Sequence, residues 1–326
     1  MSELHKFIFD GLPVRGMLVQ LTDAWQEILK RREAAGGYPP EVMQLLGEMA
    51  AAAALMQSNI KFNGSLVLQI SGDGPVKLAV AEVQPDLSLR ATVSFGAEGA
   101  QGVAPGATLS QMVNVHNQGR CAITLDPKDR LPGQQPYQGV VPLFGDRHEK
   151  LEKLSEVLQH YMLQSEQLDT CLVLAANHEV AAGLLIQRLP VMGSGNLQGQ
   201  LDRDANEDEI GRNEDYQRIA MLAATLKAEE LLSLDVETIL HRLFWEEKLS
   251  RFEPQHPRFA CSCSQERVSG MLRSLGEPEV QSIVAEFGWV NVGCEFCGAQ
   301  YRFDPVEALQ IFAAPADLPP APDSLQ

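Results

Sequence analysis

Four of the six cysteines stand in two close pairs near the C-terminal end of the chain, as Cys261-Ser262-Cys263 and Cys294-Glu295-Phe296-Cys297. The 30 residues between the pairs give room for a helix and a strand that would fold the pairs together. Four thiolates suit Zn²⁺ in a closed tetrahedral site with bonds of ~2.3 Å. The spacing therefore predicts one zinc ion per chain, with four ligands: Cys261, Cys263, Cys294 and Cys297.

Two other arrangements of these cysteines stay open from the residues alone. They could be buried thiols without a ligand, or they could form two disulfides, which are typical of secreted proteins. Chance rarely places four of six cysteines in this pattern. The N-terminus, beginning Met1-Ser2-Glu3, shows no basic stretch followed by an apolar one, as a secretory signal would. The zinc site is therefore the favoured interpretation.

The overall composition limits the possible partners. The chain has 326 residues, 45% of them hydrophobic, which is enough for two or three domains with a sizeable core. Its formal net charge of -17 would repel phosphate backbones and anionic lipid, so we expect neither nucleic acid nor a membrane as a partner. No apolar run approaches the ~18 residues that a membrane-spanning helix needs. We therefore expect a cytoplasmic protein.

Periodicity predicts an α+β fold. Residues 1–190 are expected to form an α/β domain with one mostly antiparallel sheet, including a hairpin over residues 65–83. A long amphipathic helix is predicted over residues 146–167, and residues 172–176 and 180–189 are predicted to add two strands to the same sheet.

The second half of the chain divides into three further parts. Residues 191–251 are predicted to be a helical, marginally stable linker, with an acidic run over 202–215 and two striped helices, the second capped by Asp235. Gly193-Ser194-Gly195 lacks the context of a phosphate-binding loop and is interpreted as part of this linker. Residues 252–312 are expected to form the small zinc-binding domain. Residues 313–326, rich in Pro, Ala and Asp, are expected to be a disordered tail.

Three other residues could in principle do chemistry. Cys171 begins an apolar strand and is expected to be a buried, inert thiol. Cys121 follows Arg120, whose charge could lower the thiol pKa, although an inert thiol is again favoured. His256 could replace a sulfur as a zinc ligand, but four cysteines already complete a tetrahedron. No catalytic triad, carboxylate pair or phosphate-binding loop is evident, so we do not expect an enzyme.

Several stretches of the sequence together resemble one known protein family. The resemblance is carried by Phe259-Ala260-Cys261-Ser262-Cys263-Ser264 with Glu266-Arg267, then by Cys294-Glu295-Phe296-Cys297 and Tyr301-Arg302-Phe303. Earlier stretches agree and fall in the family's order: Val14-Arg15-Gly16, Leu45-Leu46-Gly47-Glu48, Lys61-Phe62-Asn63-Gly64, Tyr137-Gln138-Gly139-Val140-Val141-Pro142-Leu143 and Ser165-Glu166-Gln167. On these stretches, from about residue 5 to residue 312, the chain resembles the redox-regulated 33 kDa chaperonin (heat-shock protein 33) family. Gln265 departs from it, since a basic residue is common at that position.

The resemblance implies a chaperone that holds unfolding proteins without ATP turnover. The reduced, zinc-bound form would be inactive. Oxidation would form the disulfides Cys261–Cys263 and Cys294–Cys297, expel zinc and unfold the linker. The exposed surfaces would then bind unfolding client proteins under oxidative stress, as a homodimer, until an ATP-dependent chaperone system takes the clients over.

One rival function is a zinc-ribbon module that binds nucleic acid or a transcription partner, for which Tyr301-Arg302-Phe303 offers a short basic and aromatic stretch. The overall acidity of the chain argues against it.

Overall fold

The computed structural model describes residues 1–33, 36–129, 133–189 and 214–312, and it forms two compact units, residues 1–260 and 261–326. The strands are β1 (Glu3–Phe9), β2 (Val14–Leu21), β3 (Gly64–Ser71), β4 (Val76–Val83), β5 (Ser88–Phe95), β6 (Arg120–Pro127), β7 (Tyr137–Pro142), β8 (Thr170–Ala176), β9 (Ala181–Arg188), β10 (Leu249–Arg251), β11 (Arg258–Phe259), β12 (Val290–Gly293) and β13 (Gln300–Phe303). The helices are α1 (Asp23–Glu33), α2 (Pro40–Asn59), α3 (Leu109–Val113), α4 (Leu154–Glu166), α5 (Glu214–Ala224), α6 (Ala228–Ser233), α7 (Val236–Phe244), α8 (Gln265–Leu275), α9 (Glu277–Phe287) and α10 (Pro305–Gln310).

The first unit contains two sheets rather than the single sheet that the sequence predicts. The first sheet has the strand order β10-β1-β2-β9-β8, and the second has the order β11-β5-β4-β3-β6-β7. Neighbouring strands are antiparallel except for β11 and β5, which are parallel. The predicted mostly antiparallel α+β fold is therefore confirmed. The predicted strands at 172–176 and 180–189, now β8 and β9, belong to the first sheet, while the 65–83 hairpin belongs to the second.

Helix α2 lies between the two sheets and forms the centre of the main core. It contacts β2, β8 and β9 of the first sheet and β3, β4 and β5 of the second. An alanine-rich stretch suits this position, and residues 50–54 are all fully buried. Gly47 allows the closest approach, because a Cβ built there would lie 2.5 Å from the Cβ of Ala176. A larger residue at 47 would push α2 away from the first sheet.

Helices α5, α6 and α7 cover the opposite face of the first sheet. Because successive side chains of β1 point to opposite faces of the sheet, Leu4 faces the main core, whereas Phe7 and Phe9 face these helices. The helices supply a second buried cluster with their apolar stripes, which include Ile219, Ala223, Leu226, Leu231, Val236, Ile239, Leu240, Leu243 and Phe244. Asp235 caps α7 as predicted, since its carboxylate accepts from the Thr238 amide at 2.9 Å.

Residues 249–260 connect α7 to the second unit and are hydrogen-bonded to both sheets of the first. Strand β10 pairs with β1, and β11 pairs with β5. The last of these bonds joins the Ala260 amide to the Leu89 carbonyl at 3.1 Å, immediately before Cys261. Along the chain, the boundary between the two compact units follows residue 260, whereas the sequence predicts boundaries at 190, 251 and 312. Most of the acidic run and all of residues 313–326 lie outside the described residues.

The second unit is small. Helices α8 and α9 lead into the antiparallel hairpin of β12 and β13, and α10 follows. Ser264 caps α8 by accepting from the Arg267 amide at 3.2 Å. The core of this unit is a group of six buried apolar side chains: Leu272, Val280, Val290, Phe303, Ala308 and Ile311.

Candidate metal centre

The four paired cysteines lie on two separate segments of the second unit. Cys261 and Cys263 are in the extended segment between β11 and α8, whereas Cys294 and Cys297 are in the turn that joins β12 to β13. That turn is closed by two backbone hydrogen bonds of 2.8 Å, from the Gly298 amide to the Cys294 carbonyl and from the Cys294 amide to the Ala299 carbonyl. Gly298 has φ +73°, a conformation that glycine adopts without strain.

The structure brings together all four cysteines that the sequence predicts as metal ligands. Their sulfur atoms lie within 4.8 Å of one another. The Cys261 and Cys294 sulfurs are 3.7 Å apart, and the Cys263 and Cys297 sulfurs are 3.3 Å apart. A tetrahedron with metal–sulfur bonds of ~2.3 Å has sulfur–sulfur edges of about 3.8 Å. The cluster is therefore close to the size that a single tetrahedral ion requires.

Several hydrogen-bond donors face these sulfurs. The backbone amides of Phe296 and Cys297 donate to the Cys294 sulfur, and the Ala299 amide donates to the Cys297 sulfur. The hydroxyl of Tyr301 lies 3.0 Å from the Cys263 sulfur. In the sequence, Tyr301 stands in a stretch that carries part of the family resemblance and offers a short basic and aromatic element, and neither interpretation assigns its hydroxyl to the sulfur cluster. Its place in the strand after the second cysteine pair, two residues before the core residue Phe303, is the signal that could have identified it.

Burial of the sulfurs has an electrostatic consequence. Desolvation raises the pKa of Cys297 to about 12 and also raises the pKa of Cys294. The hydrogen bond with Cys263, together with burial and the neighbouring sulfurs, raises the pKa of Tyr301 to about 12. Without a compensating cation, such sulfurs would be protonated at neutral pH. A donor set of four cysteine sulfurs in a cluster of this size fits a soft or borderline divalent metal such as zinc.

The other candidate residues lie elsewhere. Cys121 is fully buried in β6, and this burial raises its pKa to about 12, contrary to an activating effect of Arg120. Burial also raises the pKa of Cys171 to about 11, and its thiol lies 3.6 Å from the Ala220 carbonyl oxygen. The ring of His256 is 3.3 Å from the Ser2 carbonyl oxygen. Among the residues that the structure describes, the four paired cysteines form the one group with metal-ligand proximity.

Two observations bear on the expected partners. Arg302, the basic residue of the stretch that could favour nucleic acid, has its guanidinium 3.8 Å from the centroid of the Trp289 ring. Within the described ranges, no helix combines the length and the apolar composition needed to cross a lipid bilayer.

Comparison with known proteins agrees with the fold and the cysteine cluster. The family model described as Hsp33 protein matches residues 2–304. The 33 kDa chaperonin of Chromobacterium violaceum is 44% identical over 311 residues, which cover 95% of this chain and 94% of the relative. That of Methylobacillus flagellatus is 40% identical over 319 residues, covering 98% and 97%.

A solved structure shares the fold. The crystal structure of the 33 kDa chaperonin (heat shock protein 33 homologue) of Thermotoga maritima aligns with a TM-score of 0.68 at 20% identity, covering 95% of this chain and 97% of that one. Since the family match and the relatives extend over nearly the whole sequence, this chain belongs to the Hsp33 protein family.

Proposed function

We propose that this chain is a redox-regulated chaperone of the cytoplasm, which holds unfolding proteins without ATP and prevents their aggregation under oxidative stress. It would act by binding rather than as an enzyme. Family membership supports chaperone activity, since the relatives are named 33 kDa chaperonin. The observation that carries redox control is the cluster of four cysteine sulfurs within 4.8 Å, in a unit with a small apolar core.

The reduced, resting protein is proposed to hold one Zn²⁺ through Cys261, Cys263, Cys294 and Cys297. When bound, such an ion keeps the sulfurs deprotonated and supplies ~10–16 kcal/mol of apparent binding energy, as in small zinc peptides. The unit needs that contribution. Its apolar core has six buried side chains, and a unit with so small a core commonly depends on a structural metal to stay folded.

Oxidation by a peroxide would proceed in two steps. A thiolate attacks one peroxide oxygen and becomes a sulfenic acid as hydroxide leaves, and a second thiolate then attacks that sulfur and expels another hydroxide. Two sulfurs lose two electrons, the peroxide gains them, and two protons convert the hydroxides to water. The product is one disulfide in place of two ligands.

The proposed disulfides are Cys261–Cys263 and Cys294–Cys297. The two short sulfur–sulfur distances, 3.7 Å and 3.3 Å, instead join a cysteine of one pair to a cysteine of the other. All sulfur–sulfur distances in a tetrahedral cluster are similar, so the geometry of the reduced state does not determine which two sulfurs form a disulfide. Once the cluster opens, the partners tethered by one or two residues stay close, whereas the others separate. Disulfides that close such short loops add little stability, so they would not replace the metal.

Unfolding of the second unit is proposed to loosen the linker, residues 191–251, which joins it through residues 252–260. The described helices of this linker cover the first sheet, and their release would uncover apolar side chains on both surfaces. Among these are Phe7, Phe9 and Leu18 of the sheet and Ile239 and Phe244 of α7, all buried in the reduced structure. A contiguous apolar patch of several hundred Å² is the kind of surface that binds unfolding clients.

The family resemblance supports two further parts of the proposal. The oxidised protein would act as a homodimer, and bound clients would pass to an ATP-dependent chaperone system. Neither part is needed for the redox control itself.

The test follows zinc release and the light scattering of a thermally unfolding client protein, with reduced and peroxide-treated chaperone. We expect suppression of scattering only after oxidation, rising with zinc release. Activity that is equal in both redox states would contradict the proposal.

A further inference from the structure

Tyr301 is held in place by the hairpin that carries the second cysteine pair. It lies in β13, opposite Val292 of β12 in the antiparallel register. Phe303, two residues later, points to the same side of the strand and is buried in the core of the second unit, against which Tyr301 also packs. The aromatic ring is thus anchored by apolar contacts while its hydroxyl reaches the sulfur cluster, a use that suits the two-sided character of tyrosine.

The hydroxyl of Tyr301 differs from the other donors to the sulfurs described above. The amides of Phe296, Cys297 and Ala299 belong to the backbone of the turn itself, so these donors are present whatever side chains the turn carries. Tyr301 instead donates from a side chain, to the sulfur of Cys263 in the extended segment before α8, at 3.0 Å. Because β13 follows the second pair, this bond ties the strand after one cysteine pair to a ligand of the other pair.

We propose that Tyr301 is a positioning residue of the redox switch, whose hydroxyl holds Cys263 in the metal cluster and protects its sulfur from oxidants. This inference rests on the proposed function, and it names a determinant of the oxidant sensitivity of the same site. Hydrogen bonds to metal-bound sulfurs orient the ligand and tune the centre. By withdrawing electron density from the Cys263 sulfur, the bond makes that sulfur a poorer nucleophile toward a peroxide.

The redox step is the one given above, in which a thiolate attacks a peroxide oxygen and hydroxide leaves. Within that step, the Tyr301 hydroxyl slows the attack by the Cys263 sulfur and leaves the chemistry unchanged. Loss of the hydroxyl should weaken zinc binding by about 10- to 100-fold, the usual effect of removing a hydrogen-bond partner of a ligand. It should also speed modification of Cys263 by roughly 2- to 10-fold, the kinetic equivalent of one net hydrogen bond.

The test uses Tyr301→Phe, which removes one oxygen atom and keeps the ring that packs in the core. Zinc affinity is measured by competition with a chelator. The thiolate-to-metal absorption of the Co²⁺-substituted protein reports electron density at the sulfurs, which a merely structural role would not move. Mass spectrometry after brief peroxide treatment gives the rate of modification at each cysteine.

Two variants serve as controls. Ser262→Ala removes a hydroxyl next to Cys263 that accepts a hydrogen bond from the Arg267 guanidinium at 2.6 Å. Tyr137→Phe removes the hydroxyl of a half-exposed tyrosine in the first unit. Both should behave like the unaltered chain in all three measurements.

We expect Tyr301→Phe to bind zinc more weakly, to shift the Co²⁺ absorption and to speed modification selectively at Cys263. Unchanged absorption with an unchanged rate at Cys263 would overturn the inference, and so would equal acceleration at all four cysteines, which would indicate general loosening. These results differ from failure of the proposed function itself, in which the unaltered chain would bind no zinc.

Discussion

The side-chain amide of Gln20 lies 2.8 Å from the backbone carbonyl oxygen of Leu234, just beyond the end of α6. The same amide lies 3.1 Å from the carbonyl oxygen of Leu231. One polar side chain of the first sheet thus holds two carbonyls at the C-terminal end of a six-residue helix, where backbone acceptors lack helical partners. Helices α5, α6 and α7 are therefore joined to the first sheet by hydrogen bonds as well as by apolar packing.

Replacing Gln20 by alanine should therefore weaken the attachment of helices α5, α6 and α7 to the first sheet in the reduced protein. Two lost hydrogen bonds correspond to about 1–3 kcal/mol. We expect faster hydrogen exchange in residues 214–244 and client binding at a lower dose of oxidant. Gln26→Ala is the matched control, since Gln26 also donates to one backbone carbonyl of the same unit, that of Glu179 at 3.2 Å. Equal exchange in the two variants would argue against a role for this contact.

The aromatic contact between α7 and the first sheet predicts a larger loss of stability when it is removed. The Phe244 ring meets the Phe9 ring edge-on, with centroids 5.0 Å apart. Phe244→Ala should cost about 3–5 kcal/mol and should detach α7 without oxidation. We expect the reduced variant to suppress client aggregation. The control Leu46→Ala also empties a buried site, but in the main core between the sheets, and should lower stability without activating the reduced protein. A Phe244→Ala protein with detached helices and no activity would show that clients bind elsewhere.

The sequence predicts local features of the fold better than the assembly of its parts. The Asp235 cap and the grouping of the four cysteines were predictable, because both depend on residue type and short spacing. The division of the strands into two sheets was not, since alternation gives the same pattern in either sheet. Helix α4 begins at Leu154 rather than at residue 146, because Phe144 and Lys150 form a bridge and His148 adopts φ +61° between them. The contact of Tyr301 with Cys263 was not predictable either, since it joins β13 to a segment 38 residues earlier in the chain.

Glu48 predicts a pH dependence of stability in the first unit. Burial, partly offset by Gln44 and Lys153, raises the pKa of this carboxyl from 4.5 to about 7. The folded state therefore binds more protons than the unfolded state between these two values, so the free energy of unfolding should fall as pH rises through this window. The loss is on the order of 3 kcal/mol and is nearly complete above pH ~7.

Glu48→Gln isolates this effect, because the amide oxygen can still accept the hydrogen bond from Gln44, which is 2.9 Å long in the native protein. Urea unfolding at several pH values should show the variant more stable than the native chain at pH 8 and similar to it at pH 4.5. A stability difference that is the same at both pH values would mean that the carboxyl titrates normally.

Removal of a single sulfur ligand should unfold the second unit without any oxidation. We expect Cys294→Ser to lose tight zinc binding, and hydrogen exchange in residues 261–312 should then become fast even in the reduced protein, since the small core cannot hold the unit alone. Cys171→Ser, which changes a thiol in the first unit, is the matched control and should keep both zinc and exchange protection. Protected amides in the metal-free Cys294→Ser protein would contradict the dependence of this unit on the cluster.

The central claim is that the reduced sulfur cluster holds a metal ion and that oxidation of the sulfurs frees it. The most direct test is the zinc content of freshly reduced, purified protein, determined before and after treatment with a peroxide. The account predicts one zinc per chain before treatment and its loss as four thiols disappear from the thiol count. Reduced protein without bound metal, or oxidised protein that retains its metal with four thiols consumed, would contradict it.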